Sequence, residues 1–373
     1  MNQTLVSYLS QYEFYDILLR AFGNNQTLLA SAIYLLFAVA IVGLMATVGG
    51  LGTYAERKIS ADIQQRIGPN RVGPYGILQF LADGVKMLTK EDVMPFTADK
   101  FLFYLAPMLA LVGVFATLAV LPWSSGFIMA DLNVGIFYLI AISSLVGVSV
   151  FLGGYASNSK WSMLGGLRGA SQIISYEIPV TISILSITLL AGGMGFGTIL
   201  SHQKGIPINW YIFHNPFSFI AFFVYFVGAL AETNRAPFDL PEAESELVSG
   251  YHTEYTGMRF GMFALAEYIE VFVVCGVGTA LFLGGGNLPF DIALDIIPLQ
   301  LAQMVIFITK ALLLYYVVIW IRWTFPRLRV DQLMSICWKY LTPIAIFNLV
   351  GCAVWTVVFN GKSIADLVFG AGH

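Results

Sequence analysis

The sequence predicts an all-α polytopic membrane protein, with eight transmembrane helices and an interfacial amphipathic helix in the first inside loop. Three observations carry that prediction. Of 373 residues, 58% are hydrophobic and only 11% charged, against roughly 25% charged in soluble domains. The apolar residues fall into runs of about 20, the length that crosses a hydrocarbon core at about 1.5 Å per residue. Lys and Arg gather in alternate connections between those runs, the bias that orients helical membrane proteins.

In chain order the apolar runs place crossings at 31-55, 101-121, 135-156, 172-194, 216-235, 260-283, 301-322 and 339-359. Residues 31-360 then form one membrane domain, preceded by a segment 1-30 and followed by a tail 361-373. Residues 3 to 22 mix polar and apolar side chains and lack the basic start of a secretory signal, so they are expected to form a short surface-lying amphipathic helix. With the charges flanking them, connections 56-100, 157-171, 236-259 and 323-338 hold 7, 2, 2 and 4 Lys or Arg. The five segments on the other side hold 1, 0, 1, 0 and 1. The first group is expected to face the cytoplasm or matrix and both termini the outer side.

The first inside loop is the longest. Gly68-Pro69 and Gly73-Pro74 set turns, after which Ile77, Leu78, Leu81, Val85 and Leu88 recur at helical spacing while Asp83, Lys86 and Lys90 fall on another face. That pattern predicts a helix lying at the membrane surface. The second inside loop, 156-168, is small, polar and glycine-bearing, suited to close packing or to a simple turn. Span four carries Ser175-Tyr176-Glu177-Ile178-Pro179. Pro179 has no N–H to donate, which frees the carbonyl of Ser175 beside a carboxylate.

Acids dominate the third inside loop. From Ala231 to Glu254 there are six carboxylates and one Lys or Arg, Arg235. Glu177, Glu232 and Glu267 fall at similar depths in three spans, with Glu270 on the same helix face as Glu267 and Lys310 in span seven. One ionised side chain at the membrane centre costs roughly 2.5–3.5 kcal/mol. Several acids in one layer therefore predict a polar interior or a water-filled path, with proton carriers among them; the alternative is a set of neutral, hydrogen-bonded packing residues.

Redox chemistry and metal binding find no anchor in this chain. Cys275, Cys337 and Cys352 form no CxxC pair, and the four histidines lie in loops or at the C-terminus, where no pair could ligate a haem within the spans. There is no zinc spacing, P-loop, GxGxxG after a strand or Ser-His-Asp arrangement. No metal site is expected.

Several stretches together resemble one family. These are Glu56-Arg57-Lys58, the run from Arg66 to Gly76, Ser175-Tyr176-Glu177, the acidic stretch 231-247, Ala266-Glu267-Tyr268, Thr309-Lys310, Trp320-Ile321-Arg322 and the run from Pro326 to Met334. The resemblance is to the H-type membrane subunits of respiratory complex I, NADH:quinone oxidoreductase, and it covers residues 30 to 360. It implies a quinone-channel subunit of a proton-pumping enzyme that docks the hydrophilic arm and couples quinone reduction to proton translocation. Quinone, as ubiquinone or menaquinone, would be a substrate rather than a covalent cofactor. FMN and the iron-sulfur clusters would sit on partner subunits, the terminal cluster in the arm docked here, and small membrane subunits would lie alongside in lipid. No nucleic acid is expected.

Carried over by position, the resemblance makes Glu177, Glu232, Glu267 and Lys310 the proton-coupling residues. Arg57, Arg66, Asp83 and Lys86 would line the quinone passage, with Phe80 beside its entrance. Glu242, Glu244, Glu246 and Glu254 would form an acidic wall, and Phe260 and Phe263 would contact the quinone ring or tail. Arg235 is expected to pair with one of the acids, and Pro237 and Pro241 to hold the loop extended. The chain length and extended N-terminus point to a bacterial inner membrane rather than an organellar one.

Three alternatives share these features. A homologous membrane subunit of a hydrogenase or related dehydrogenase would keep the helices and acids but serve another donor. A stand-alone ion antiporter would use the intramembrane Glu and Lys, although no inverted repeat is evident. A structural anchor for the hydrophilic arm would tolerate loss of Glu177, Glu232 and Glu267.

Overall fold

The computed structural model describes residue 19 and residues 25–124, 128–205, 207–288, 299–359 and 361–364. The surface helix expected over residues 3 to 22 falls outside them but for Leu19. Among the described residues all regular structure is helical. The helices that position the site are, among the described residues, α1 (Gln26–Ile63), α2 (Gln79–Thr89), α3 (Lys100–Thr117), α4 (Gly135–Ala156), α5 (Lys160–Ala191), α6 (Pro216–Glu232), α7 (Gly257–Phe282), α8 (Leu299–Thr324), α9 (Val330–Ser335) and α10 (Thr342–Val358).

Among the described residues seven helical stretches are long and apolar enough to cross a membrane, α9 and α10 counting as one through the π-helical segment Ile336–Leu341. The remaining expected crossing, α6, has 17 residues, about 25 Å of axis and the short end of the crossing range. It starts sharply, with Pro216 in its first turn and a reciprocal Asn215–Ser218 capping box. It stops at Glu232, short of the expected 235, and Asn234 then turns the chain with a positive φ of 51°. Large apolar side chains along the outer faces, such as Leu35, Leu36 and Val39 on α1 and Phe347, Val350, Val354 and Val357 on α10, are exposed. On helices of this length such faces meet lipid or a neighbouring membrane chain.

Two helices overrun their expected ends, and both overruns shape the site. α1 has 38 residues, about 57 Å of axis, and carries Glu56, Arg57 and Lys58 within its last turns instead of in a loop. α5 begins at Lys160, so the stretch read as a loop or turn is helix. Its glycines serve close packing inside this chain: a Cβ on Gly166 would meet the backbone of Gly154 on α4, and one on Gly165 would meet the backbone at Gly250 and Tyr251. A periodicity of small residues rather than large ones hid that helix from the apolar pattern.

The proline in α5 behaves as expected. Its ring leaves the Ser175 carbonyl without a helical donor, and the thiol of Cys337 in the π-helical segment donates to that oxygen at 3.0 Å. The neighbouring Tyr176 hydroxyl donates to the Leu333 carbonyl of α9 at 2.8 Å. α2 forms at the expected place, with Leu81, Val85 and Leu88 exposed and Phe80 lying against Gly50 of α1.

Candidate functional site

The connection between α6 and α7 is folded, not extended. Phe238 and Ala243 close turns by donating to the carbonyls of Arg235 and Leu240. A short helix, Glu244–Leu247, and a 3-10 turn, Gly250–His252, follow. Many backbone polar groups must be satisfied in a buried loop, and Gln172 of α5 supplies much of that. Its buried amide lies 2.7 Å from the carbonyls of Ala231 and Phe238 and 3.2 Å from the Asn234 side-chain oxygen. Gln172→Leu should strand those acceptors, at about 1–3 kcal/mol for a buried unsatisfied group. A fall in melting temperature of the purified protein checks it; unchanged melting would show that the loop is held elsewhere.

Arg235 sits at the centre of the connection, 5% exposed. Its Nη1 contacts Glu56 of α1 at 3.0 Å, its Nη2 lies 3.9 Å from Glu267 of α7, and its guanidinium stacks 4.0 Å above the Tyr268 ring. Arg322 of α8 reaches the other oxygen of Glu56 at 2.5 Å. Glu56 is therefore a bridge between two arginines from different helices. Arginine suits this place, because its planar fork holds a carboxylate on one edge and an aromatic ring on its face. Glu56 and Arg322 both fall in stretches that carry the family resemblance, but nothing in their spacing says that 179 residues separate Glu56 from its Arg235 partner.

A second group flanks the first. His252 Nδ1 lies 2.7 Å from Glu242 Oε1, and Arg327 contacts Asp239 at 2.9 Å. Burial and the neighbouring Glu242 push the Asp239 carboxyl up to about 6, against the pull of Arg327. Glu242 goes the other way. Burial opposes its charged form, but the hydrogen bond and charge of His252, with Arg235 and Arg322 beyond, hold it at about 2. Arg168 of α5 contacts the exposed Glu246 at 2.6 Å. Glu254 is half-buried, and the side chain of Glu244 lies outside the described residues. Phe263 is 3% exposed, closed in by Tyr251, His252 and Tyr255 at ring separations of 5.1–5.4 Å. Its ring is closed in by these neighbours, and Phe260, half-buried beside His252, is the more open of the two.

Deeper in the bundle, Glu177 of α5, Glu232 of α6 and Glu270 of α7 line one cavity of about 40 Å³, together with Ser143, Thr117 and Tyr225. That is room for about two or three waters. Three helices thus present carboxylates to one cavity whose lining is otherwise mostly apolar; the depth argument named Glu177, Glu232 and Glu267, whereas the acids here are Glu177, Glu232 and Glu270. Glu270 faces the cavity, whereas Glu267, one turn nearer the loop, faces Arg235. Sequence spacing puts both on one side of α7; only packing separates a residue at i from one at i+3.

Lys310 stands apart from this layer. Its Nζ donates to the Leu283 and Gly285 carbonyls at 2.8 and 2.9 Å and lies 4.0 Å from the centre of the Trp210 ring. Those carbonyls follow the end of α7 at Phe282, twelve residues beyond Glu270, or about 18 Å along the axis. In the first loop Arg57 pairs with Asp83 of α2 at 2.7 Å. Arg66 contacts Gln64 at 2.6 Å, and Lys86 is exposed on α2. Arg57 and Glu56 are neighbours on α1 but serve different partners, Arg57 reaching Asp83 of α2 and Glu56 reaching Arg235 and Arg322.

The fold and these groups define a class: a polytopic α-helical membrane protein with a buried charge network at one end and a carboxylate-lined cavity within. Comparison with known proteins narrows it. A family model described as NADH dehydrogenase matches residues 35–353. The chain is 44% identical to the H-type NADH-quinone oxidoreductase subunit of Anaeromyxobacter dehalogenans over 335 residues, covering 86% of this chain and 81% of that protein. It is 49% identical to the corresponding protein of Brevibacillus brevis over 328 residues, covering 87% and 94%, and 46% identical to that of Chlorobaculum tepidum over 316 residues, covering 82% and 87%. The chain belongs to the NADH dehydrogenase family, as an H-type subunit of NADH-quinone oxidoreductase.

Proposed function

We propose that this protein forms the quinone channel of a proton-pumping NADH:quinone oxidoreductase, docks its hydrophilic arm, and couples quinone reduction to proton movement through its membrane carboxylates. Two paired charge groups that lie near the carboxylate cavity along the chain carry the reading. Asp83 of the surface helix pairs with Arg57; the adjacent Glu56 pairs with Arg235; and Arg235 follows by three residues Glu232, which lines the carboxylate cavity. Charge changes beside the first loop and the acidic connection thus arise close to the cavity along α1 and α6. In a low-dielectric interior such changes are felt more strongly than in water.

In this reading Arg57, Arg66, Asp83, Lys86 and Phe80 flank the entry side, and Glu242, Glu244, Glu246, Glu254 and Phe260 the acidic side. Phe263 backs the wall from behind. Glu177, Glu232 and Glu270 exchange protons within the cavity, and Glu267 links it to Arg235. Lys310 belongs to a separate stretch toward the opposite end of the bundle. The substrate is a membrane quinone; the donor chemistry, with FMN and iron-sulfur clusters, sits on partner subunits. The charge bias of the connections supports placing the loop end on the inner side of the membrane and both termini on the outer side; the chain length supports a bacterial inner membrane. The names of the relatives, all NADH-quinone oxidoreductase subunits of the H type, favour this reading over a hydrogenase or antiporter subunit.

Arg57→Ala tests the channel assignment in the assembled complex. The expected result is a rise of about five- to twentyfold in quinone KM with NADH oxidation by ferricyanide unchanged, the pattern of lost substrate binding. An unaltered KM would remove the first loop from the quinone path.

A further inference from the structure

Among the described acids of the wall, one carboxylate is held by an imidazole. Glu242 is met by the imidazole of His252, which is 3% exposed. The ring is fixed from several sides. Tyr251 lies 3.8 Å away centre to centre, and Phe260 and Phe263 each at 5.3 Å. Its backbone is fixed as well. The His252 N–H donates to the Ser249 carbonyl at 3.2 Å, and its own carbonyl accepts from Tyr255 at 2.9 Å. The preceding Gly250, with a φ of 56°, lies so close to Pro241 that a Cβ there would collide with the Pro241 carbonyl. A rigid imidazole therefore faces a carboxylate carried on a loop.

The contact also fixes the direction of this hydrogen bond. An ionised carboxylate only accepts, so Nδ1 must donate. Nε2 is buried without a hydrogen-bond partner, and the three rings around it supply packing. The one polar group these rings leave His252 to orient is Glu242.

We propose that His252 is a positioning residue for Glu242: its Nδ1–H holds one carboxylate oxygen so that the other stands at a set place in the acidic wall. This rests on the reading of that wall as part of the quinone cavity. Glu242 without its donor samples several rotamers, and the wall then meets quinone with a mobile charge. Binding weakens while the electron-transfer steps on partner subunits are untouched.

The test uses the purified, assembled complex with a short-chain quinone, and NADH oxidation by ferricyanide as the measure of intact assembly. His252→Leu and His252→Phe keep apolar volume but no donor. His252→Asn keeps an N–H near the Nδ1 position and leaves a void in the aromatic box. Loss of a hydrogen bond to a charged group predicts a quinone KM raised about five- to tenfold in the Leu and Phe variants, with kcat within about twofold, and a KM near wild type for Asn. A packing role predicts the reverse order, Asn worst and Phe or Leu mild. That order, a wild-type KM in either apolar variant, or failure of all three to assemble overturns the proposal. Glu242→Gln separates this from the cavity reading. If Glu242→Gln leaves KM unchanged, Glu242 is not part of the quinone wall and the reading beneath the proposal fails. If Glu242→Gln raises KM while His252→Leu does not, only the positioning role is lost.

Discussion

Glu232→Gln is expected to leave the complex assembled, with NADH oxidation by ferricyanide at the wild-type level, and to lower quinone-coupled turnover by about a hundredfold, the lower end of what a positioned proton-transfer group contributes. The change keeps the shape of the side chain and removes its exchangeable proton. Glu232 is 6% exposed and shares its cavity with Glu177 and Glu270, so bulk water does not stand ready to take its place. Glu270→Gln should act in the same direction, because Glu270 lines the same space. Glu267→Gln should act differently: it removes a carboxylate from the surroundings of Arg235 and leaves the cavity lining intact. Measurement of quinone reductase rate and proton pumping in reconstituted vesicles checks all three. Normal turnover and pumping in an assembled Glu232→Gln complex would sink the coupling role.

Arg235→Met is expected to be the most damaging single change to the folded protein, with loss of assembled complex. It leaves Glu56 buried with only Arg322 and takes a stacked cation from Tyr268. Breaking a buried ion pair by removing one partner costs about 3–5 kcal/mol, because the other charge stays desolvated. Arg235→Lys is no rescue, since a single ammonium cannot span Glu56, Glu267 and the Tyr268 face at once. The double change Arg235→Met with Glu56→Gln should recover part of the yield, because it removes the buried carboxylate although it also takes from Arg322 its partner. Yields after solubilisation, and thermal melting of whatever assembles, give the readout. A double variant no better than Arg235→Met would show that Glu56 is not the residue left uncompensated.

Much of the architecture is legible in the sequence, and the misses have a common cause. Runs of about 20 apolar residues mark crossings because lipid imposes one length on every helix that spans it, and α3, α4, α7 and α8 fall near their expected places. The surface helix α2 is legible from its periodicity, and the free carbonyl at Ser175 from Pro179. The overruns of α1 and α5 are not. Polar residues at the end of a span are the same whether the helix stops or continues into a protein-covered region. The small residues of α5 show their purpose only against Gly154 and Gly250. The prolines at 237 and 241 suggest an extended loop; turns and short helices win because the buried backbone must find partners.

The amino-acid sequence by itself determined the membrane class, the helical architecture, the family, and the depth at which acids enter the bundle. Each of these follows from local rules: hydrophobic length, helix-breaking prolines, motif residues in order. Tertiary structure alone decided which carboxylates share a space and which are paired. It placed Glu270 rather than Glu267 beside Glu177 and Glu232, set Glu56 between Arg235 and Arg322, closed Phe263 into the core, and brought His252 to Glu242. The physical reason is that a charge in a low-dielectric interior persists only with a partner, and its partners here come from other helices or from across a folded turn, where spacing along the chain carries no record of them.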